Sequence, residues 1–213
     1  MKKPRVLLAD DHKIVLEGLK SLLESEFEII GTAEDGRALV AVAEKLRPDV
    51  IVADISMPLL NGIEAARQIK QVDKEIKIVF LTMHMDATYA ASALEAGASG
   101  FVLKHSAPSE LIAAIREAMN GLTYVTPMVA EDLSRSLQRG ALRQEGLFGS
   151  LSPRQREVLQ LLAEGKSAKE IGAILNVSTR TVEFHKYRMM EQLSIKTSAE
   201  LVQYAVRHGL TAL

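Results

Sequence analysis

The sequence predicts an α/β fold, a doubly wound five-stranded parallel sheet, joined to a second, all-α domain built around a helix-turn-helix. Three observations carry this expectation. Through residues 1–120 short apolar runs alternate with segments of helical period, the pattern of a parallel sheet covered by helices. From residue 150 onward such runs cease and short capped helices follow one another. The charge also changes sign: residues 1–120 carry 14 Lys+Arg against 18 Asp+Glu, residues 121–150 three of each, and residues 151–213 nine against six. An acid-rich module is thus followed by a base-rich one, the one suited to a polyanion. The expected division is 1–120, a connector at 121–149 with a short helix, and 150–213.

The first strand is Val6-Leu7-Leu8-Ala9, running into Asp10-Asp11. Lys13–Glu24 follows as a helix with Val15, Leu16, Leu19, Leu22 and Leu23 on one face. Phe27–Ala33 is the second strand, and Gly36–Leu46 a helix with Leu39, Val42, Ala43 and Leu46 inward, broken by Arg47-Pro48-Asp49. Val50-Ile51-Val52-Ala53 then ends on Asp54, followed by Ser56-Met57-Pro58. A helix near Gly62–Val72 leads to Ile78-Val79-Phe80-Leu81, which ends on Thr82. The next helix, near Asp86–Ala96, is rich in alanine: it is either a loosely held element beside Thr82 or simply a run of good helix formers. Phe101-Val102-Leu103 ends on Lys104, and a helix from about Ala107 to Asn120 closes the unit.

In parallel sheets ligands bind beyond the carboxyl ends of the strands, where the strand order reverses. The order 2-1-3-4-5 places the first and third strands side by side and brings Asp10, Asp11 and Asp54 together, with Asp54 expected to face solvent. As isolated residues these acids would read as caps of a helix and a turn. Three acids, a threonine and a lysine all at strand ends read better as a site. Three carboxylates in one cleft repel each other, and Mg²⁺ with its preference for oxygen ligands relieves that. Lys104 adds a second cation and Thr82 a neutral donor. Such a constellation lets a carboxylate accept a phosphoryl group while metal and lysine neutralise the charge on its oxygens.

Asp10-Asp11, Asp54 with Met57-Pro58 and Gly62, Thr82, and Phe101 three before Lys104 resemble the receiver domain of bacterial response regulators, a flavodoxin-like fold, over about residues 4–120. The resemblance implies Asp54 as phosphoacceptor, Asp11 and Asp54 as Mg²⁺ ligands with Asp10 beside them, the Ser56 backbone carbonyl as a further ligand, and Thr82 with Phe101 as switch residues. One departure is His105, where many receivers carry proline after the lysine. His84 and His105 lie just past two of these strands, but lone histidines there are usually bystanders.

No apolar run approaches the roughly 18 residues of a membrane span, and the N-terminus lacks a signal peptide's apolar stretch, so a cytoplasmic protein with no membrane partner is expected. The absence of cysteine excludes disulfides, thiolate metal sites and thiol nucleophiles.

In the connector, Pro127 followed by Val129, Leu133 and Leu137 predicts a helix over 127–138, and the remaining dozen residues read as a flexible tether. In the last domain Ser152-Pro153-Arg154-Gln155 and Ser167-Ala168-Lys169-Glu170 are capping-box starts. Asn176-Val177-Ser178 is a tight turn, Ser178 caps a helix to about Leu193, and Thr197-Ser198-Ala199-Glu200 starts a last one. Projected at about 100° per residue, Val182, Met189 and Leu193 share the core face of the third helix, whereas Arg180, Glu183, Phe184, Tyr187 and Arg188 face outward. Two aromatics on an outward face call for a partner. In a DNA major groove Arg180 and Arg188 would meet phosphate or guanine, Glu183 cytosine and Phe184 a thymine methyl, with His185, Lys186 and Lys169 as flanking phosphate contacts.

The run Leu151–Leu159, Lys169-Glu170-Ile171 and Thr181-Val182-Glu183-Phe184-His185 looks like the LuxR-type helix-turn-helix, and the two halves together are similar to response regulators of the NarL/FixJ class. This implies a phosphorylation-controlled transcription regulator and not an enzyme. It would take phosphate from a sensor histidine kinase and bind double-stranded DNA as a homodimer through its last helix, reading half-sites about 34 Å apart. Leu201, Val202, Ala205 and Val206 are candidates for that pairing, unless they face the protomer's own core. Two rivals remain. One is an aspartyl-phosphate phosphatase, which usually needs a second acid where this chain has Ser56; the other is a regulator controlled by partner contact alone.

Overall fold

Successive residues of a strand point to opposite faces, and the first strand divides its apolar side chains accordingly. The computed structural model describes residues 3–106, 108–138 and 151–210, so the tether expected after residue 138 lies outside the described residues. In β1 (Arg5–Ala9), Val6 and Leu8 pack with Val52, Val79, Leu81 and Val102 beneath Leu16, Leu19, Leu23, Leu111 and Ile115. Leu7 and Ala9 join Ile51, Ile78, Phe80, Phe101 and Leu103 on the other face. The first layer is covered by α1 (Lys13–Leu23) and α5 (Pro108–Met119), the second by α2 (Gly36–Leu46), α3 (Gly62–Val72) and α4 (Ala87–Glu95).

The remaining strands are β2 (Glu28–Ala33), β3 (Val50–Ala53), β4 (Lys77–Thr82), β5 (Gly100–Leu103) and β6 (Tyr124–Val125), in the order β2-β1-β3-β4-β5-β6, every pair parallel. The first five stand as the sequence predicts. The sixth corrects the expectation of five strands: a two-residue strand has no period to read. Thr126 fixes it, giving its N–H to the Phe101 carbonyl at 2.9 Å and its hydroxyl to Glu110 at 2.6 Å. The helix α6 (Pro127–Gln138) follows, bounded as expected, and packs against α4. Ala90 and Ala93 of α4 are fully buried, so its small residues form a close-packed face.

Beyond residue 150 the described chain is helical: α7 (Pro153–Ala163), α8 (Ala168–Leu175), α9 (Thr179–Gln192) and α10 (Ser198–Arg207). Both expected capping boxes are present, and Thr197 with Glu200 makes a third. Asn176 ends α8 in the left-handed conformation, which sets the turn into α9. The apolar core of these helices, with Val158, Leu159, Ile171, Val182, Met189 and Leu201, is continuous with the second sheet layer. Among the described residues no helix is long and apolar enough to cross a membrane.

Candidate functional site

Because β1 and β3 are neighbours with Ala9 opposite Ala53, the residues after them, Asp10 and Asp54, emerge side by side. Lys104 reaches them from the end of β5, its Nζ 2.6 Å from Asp10 Oδ2 and 2.7 Å from Asp54 Oδ2. Asp10 is 1% and Asp54 6% exposed, which corrects the expectation that Asp54 faces solvent. The carboxylates tolerate burial because an ammonium lies between them and backbone N–H groups serve their other oxygens, from Ile55 to Asp54 Oδ1 at 2.6 Å and from His12 to Asp10 Oδ1 at 2.9 Å. Burial favours a neutral Lys104, but the hydrogen bonds to Asp10 and Asp54 outweigh it and raise its pKa.

Asp11 lies on the rim, its Oδ1 2.8 Å from His12 Nδ1. Asp10, Asp11 and His12 offer ligand atoms that all lie within 4.8 Å of one another, a group able to hold a metal ion. His12 was missed in the sequence, where its adjacency to two acids was the available signal. Ser56, two residues past Asp54, bonds through Oγ to His84 Nε2 at 2.8 Å. Thr82 is fully buried at the end of β4, and its Oγ1 accepts the His84 backbone N–H at 3.3 Å. Burial lowers the His84 pKa, opposed by the nearby charges of Asp54 and Asp86. Phe101, 0% exposed, sits in β5 opposite Phe80. The peptide bond between Lys104 and His105 is trans.

Gly62 explains its own place in the motif. A Cβ there would stand 2.1 Å from the Asp54 carbonyl oxygen, so only glycine lets α3 start against the end of β3.

On α9, Val182 and Met189 are buried as expected, while Phe184 and Tyr187 are 58% and 62% exposed. Arg180, Arg188 and Lys169 are exposed. Lys186 pairs with Glu183 and lies 5.0 Å from the Tyr187 ring centre, and the half-buried His185 meets Phe184 edge-on. On α10, Leu201 and Ala205 are buried in the domain's own core, which removes two of the four candidates for pairing between copies.

The docking between the two parts went unread in the sequence. The side chain of Gln160 on α7 accepts the Asn61 N–H at 2.7 Å and donates to the Met57 carbonyl at 2.9 Å, while Glu164 accepts the Leu59 N–H at 2.9 Å. Glu157 receives Arg37 at 2.9 Å and Gln68 at 3.1 Å, and Arg156 binds Glu64. A glutamine inside the apolar run Val158-Leu159-Gln160-Leu161 was the one visible signal.

The family described as the response regulator receiver domain matches residues 6–116, and bacterial regulatory proteins of the luxR family match residues 149–205. The chain is 35% identical over 207 residues to the response regulator UvrY of Escherichia coli (strain K12), covering 96% of this chain and 94% of that protein. It is similar in structure to the RcsB response regulator of Salmonella typhimurium, with a TM-score of 0.67 at 31% identity and 100% of both chains covered. It is also similar to RcsB in a complex with DNA, with a TM-score of 0.60 at 31% identity over 96% of this chain and 98% of that one. With both segments matched in this order and the acid cluster at the strand ends, the chain belongs to the two-component response regulators of the NarL/FixJ class.

Proposed function

We propose that this chain receives a phosphoryl group on Asp54 from a phosphohistidine of a sensor kinase, and that the modified receiver changes DNA binding by residues 150–213. The observation that carries the reading is the Lys104 ammonium held between Asp54 and Asp10 at the ends of three strands. In the transfer an Asp54 carboxylate oxygen attacks phosphorus and an O–P bond forms. The N–P bond of the donor breaks, and its electron pair leaves with the imidazole, which takes up a proton. Lys104, whose raised pKa keeps it charged, neutralises the oxygens of the incoming group. Thr82 turns its hydroxyl toward them, and Phe101 repacks as Thr82 moves.

The donors around Asp54 suit Mg²⁺. Asp10 and Asp11 bring carboxylate oxygens close together, buried Asp10 shares Lys104 with Asp54, and the Asp54 carboxylate and the Ser56 backbone carbonyl would complete a hard-oxygen set. Bound there, Mg²⁺ supplies positive charge to the phosphoryl oxygens. The residue two past Asp54 is Ser56, tied to His84, so the position where such a phosphatase carries its second acid holds a hydroxyl, and the chain works as a regulator instead of turning over phosphoesters.

In the DNA-bound form Arg180, Glu183, Phe184, Tyr187 and Arg188 of α9 face the major groove, with Lys169, His185 and Lys186 on phosphates. Two copies pair through α10, where Val202 and Val206 remain available. The functional division is a receiver over 1–120, a linker over 121–149 and a DNA-binding domain over 150–213, with the working chain in the cytoplasm. The test is radiolabelled acetyl phosphate with Mg²⁺, followed by selection from a genomic DNA library with and without the donor. Wild type takes label and changes its DNA selection, and Asp54→Ala does neither. Label retained by Asp54→Ala, or DNA binding indifferent to the donor, would overturn the reading.

A further inference from the structure

His84 touches the site twice. Its backbone N–H is bonded to Thr82 Oγ1 at 3.3 Å, and its ring to Ser56 Oγ at 2.8 Å. The ring also lies flat on Tyr89 of α4, with centroids 3.9 Å apart and an interplanar angle of 7°. Tyr89 in turn leaves the receiver altogether: its hydroxyl donates to the carbonyl of His208, the C-cap of α10, at 3.0 Å. The fit there is close. A Cβ at Gly209, whose φ is +62°, would stand 1.4 Å from the Tyr89 oxygen. From the Ser56 and Thr82 hydroxyls, on the strand ends beside Asp54, one imidazole and one phenol therefore form a line of contacts to the end of the last described helix. Phe101 has no polar atom with which to make such a connection, and it is sealed in the sheet.

We infer that the stacked pair His84 and Tyr89 is a latch through which the phosphoryl state of Asp54 is read at the C-terminal end of α10. It holds that end to the receiver while Asp54 is unmodified and releases it once Asp54 is phosphorylated. The inference rests on the proposal that Asp54 is the phosphoacceptor. A phosphoryl group brings about two negative charges and strong acceptor oxygens, and it competes for nearby hydroxyl donors. Thr82 and Ser56 are the two hydroxyls that hold His84. When they turn to the new group, His84 loses its backbone contact and its ring contact together, and the stack that positions the Tyr89 hydroxyl goes with them. The His208 carbonyl and the last turn of α10 are then free to engage a second copy.

The test is hydrogen–deuterium exchange of the whole chain over residues 202–210, with and without beryllium fluoride and Mg²⁺, alongside acetyl phosphate labelling of Asp54. In wild type, exchange there should speed up about tenfold on adding beryllium fluoride, the size expected when local opening becomes easier. Tyr89→Phe keeps the stacked ring but loses the hydroxyl. It should exchange at the fast rate without beryllium fluoride, respond little to it, and still label at Asp54. Gly209→Ala, which pushes the phenol away from the other side, should behave the same way. A Tyr89→Phe chain that matches wild type in both states would overturn the latch, as would a labelled wild type whose exchange does not respond. A wild type that takes no label overturns the phosphoacceptor reading itself, and the latch with it.

Discussion

Arg156 grips Glu64 with both arms of its guanidinium, Nε to Oε1 at 2.7 Å and Nη2 to Oε2 at 3.1 Å, across the junction between α7 and α3. Glu64 is 4% and Arg156 13% exposed at the side chain, so both charges have left water. A buried pair of this kind adds little net stability, but removing one member strands the other. Its value is therefore geometric: it fixes which face of α7 meets the receiver.

Arg156→Met should lower stability by about 3 kcal/mol, because among the described residues Glu64 is then left with Arg67 alone as a cationic partner, at 3.5 Å. Urea denaturation of the whole chain checks this. The single transition expected of wild type should split as the two parts unfold independently, and an unchanged single transition would count against the pair as a docking determinant.

Gly62→Ala should impair Asp54 without touching any group that contacts phosphate. The added Cβ meets the Asp54 carbonyl at 2.1 Å, and backbone cannot give way cheaply. A stability loss of about 1–3 kcal/mol is expected from the overpacking. Displacing the acceptor should slow acetyl phosphate labelling by about 100-fold. Labelling at the wild-type rate would show that the close approach is not needed.

Tyr89 should ionise late in an alkaline titration. Burial, with Asp86 nearby, raises its pKa from 10.0 to about 12. A phenol whose folded pKa is raised contributes stability that is full below pH 10 and lost as pH climbs from 10 toward 12. Phenolate absorbance should show a late component that Tyr89→Phe removes, and the stability gap between the two chains should narrow over that interval. A phenol titrating near 10 would place Tyr89 in solvent.

On α9 the exposed aromatics separate binding from folding. Phe184→Ala and Tyr187→Ala should change stability by less than about 0.5 kcal/mol, since neither side chain fills a core. Affinity for a selected DNA site should weaken by about 1–3 kcal/mol. Lys186→Ala should instead weaken all sequences alike and reduce the slope of log affinity against log salt by about one. Fluorescence anisotropy over a salt series distinguishes these outcomes, and full affinity in all three variants would remove α9 from the interface.

Much of the receiver was legible because its strands are buried on both faces and read as apolar runs, each ending on a residue of the candidate site: Asp10, Asp54, Thr82, Lys104. The helix caps at Ser152, Ser167, Ser178 and Thr197 were legible because capping is local chemistry. What escaped depends on distant parts of the chain. Nothing near Tyr89 announces His208, and nothing near Glu64 announces Arg156. The burial of Asp54 escaped as well, since a strand end looks exposed until the lysine that neutralises it is in place. Leu201 and Ala205 show the same limit, because one apolar stripe suits a neighbouring helix and a second copy equally well.

The sixth strand has a practical consequence for dissecting this chain. A fragment cut after residue 120 keeps every acid and both hydroxyls of the site, yet it strips β6 from β5 and α6 from the alanine face of α4. The bared Gly100–Leu103 edge would present open backbone donors and acceptors next to uncovered apolar surface, an invitation to strand-on-strand aggregation. A cut after Gln138 leaves that border sealed, so the excised receiver best suited to crystallisation or spectroscopy is the longer one.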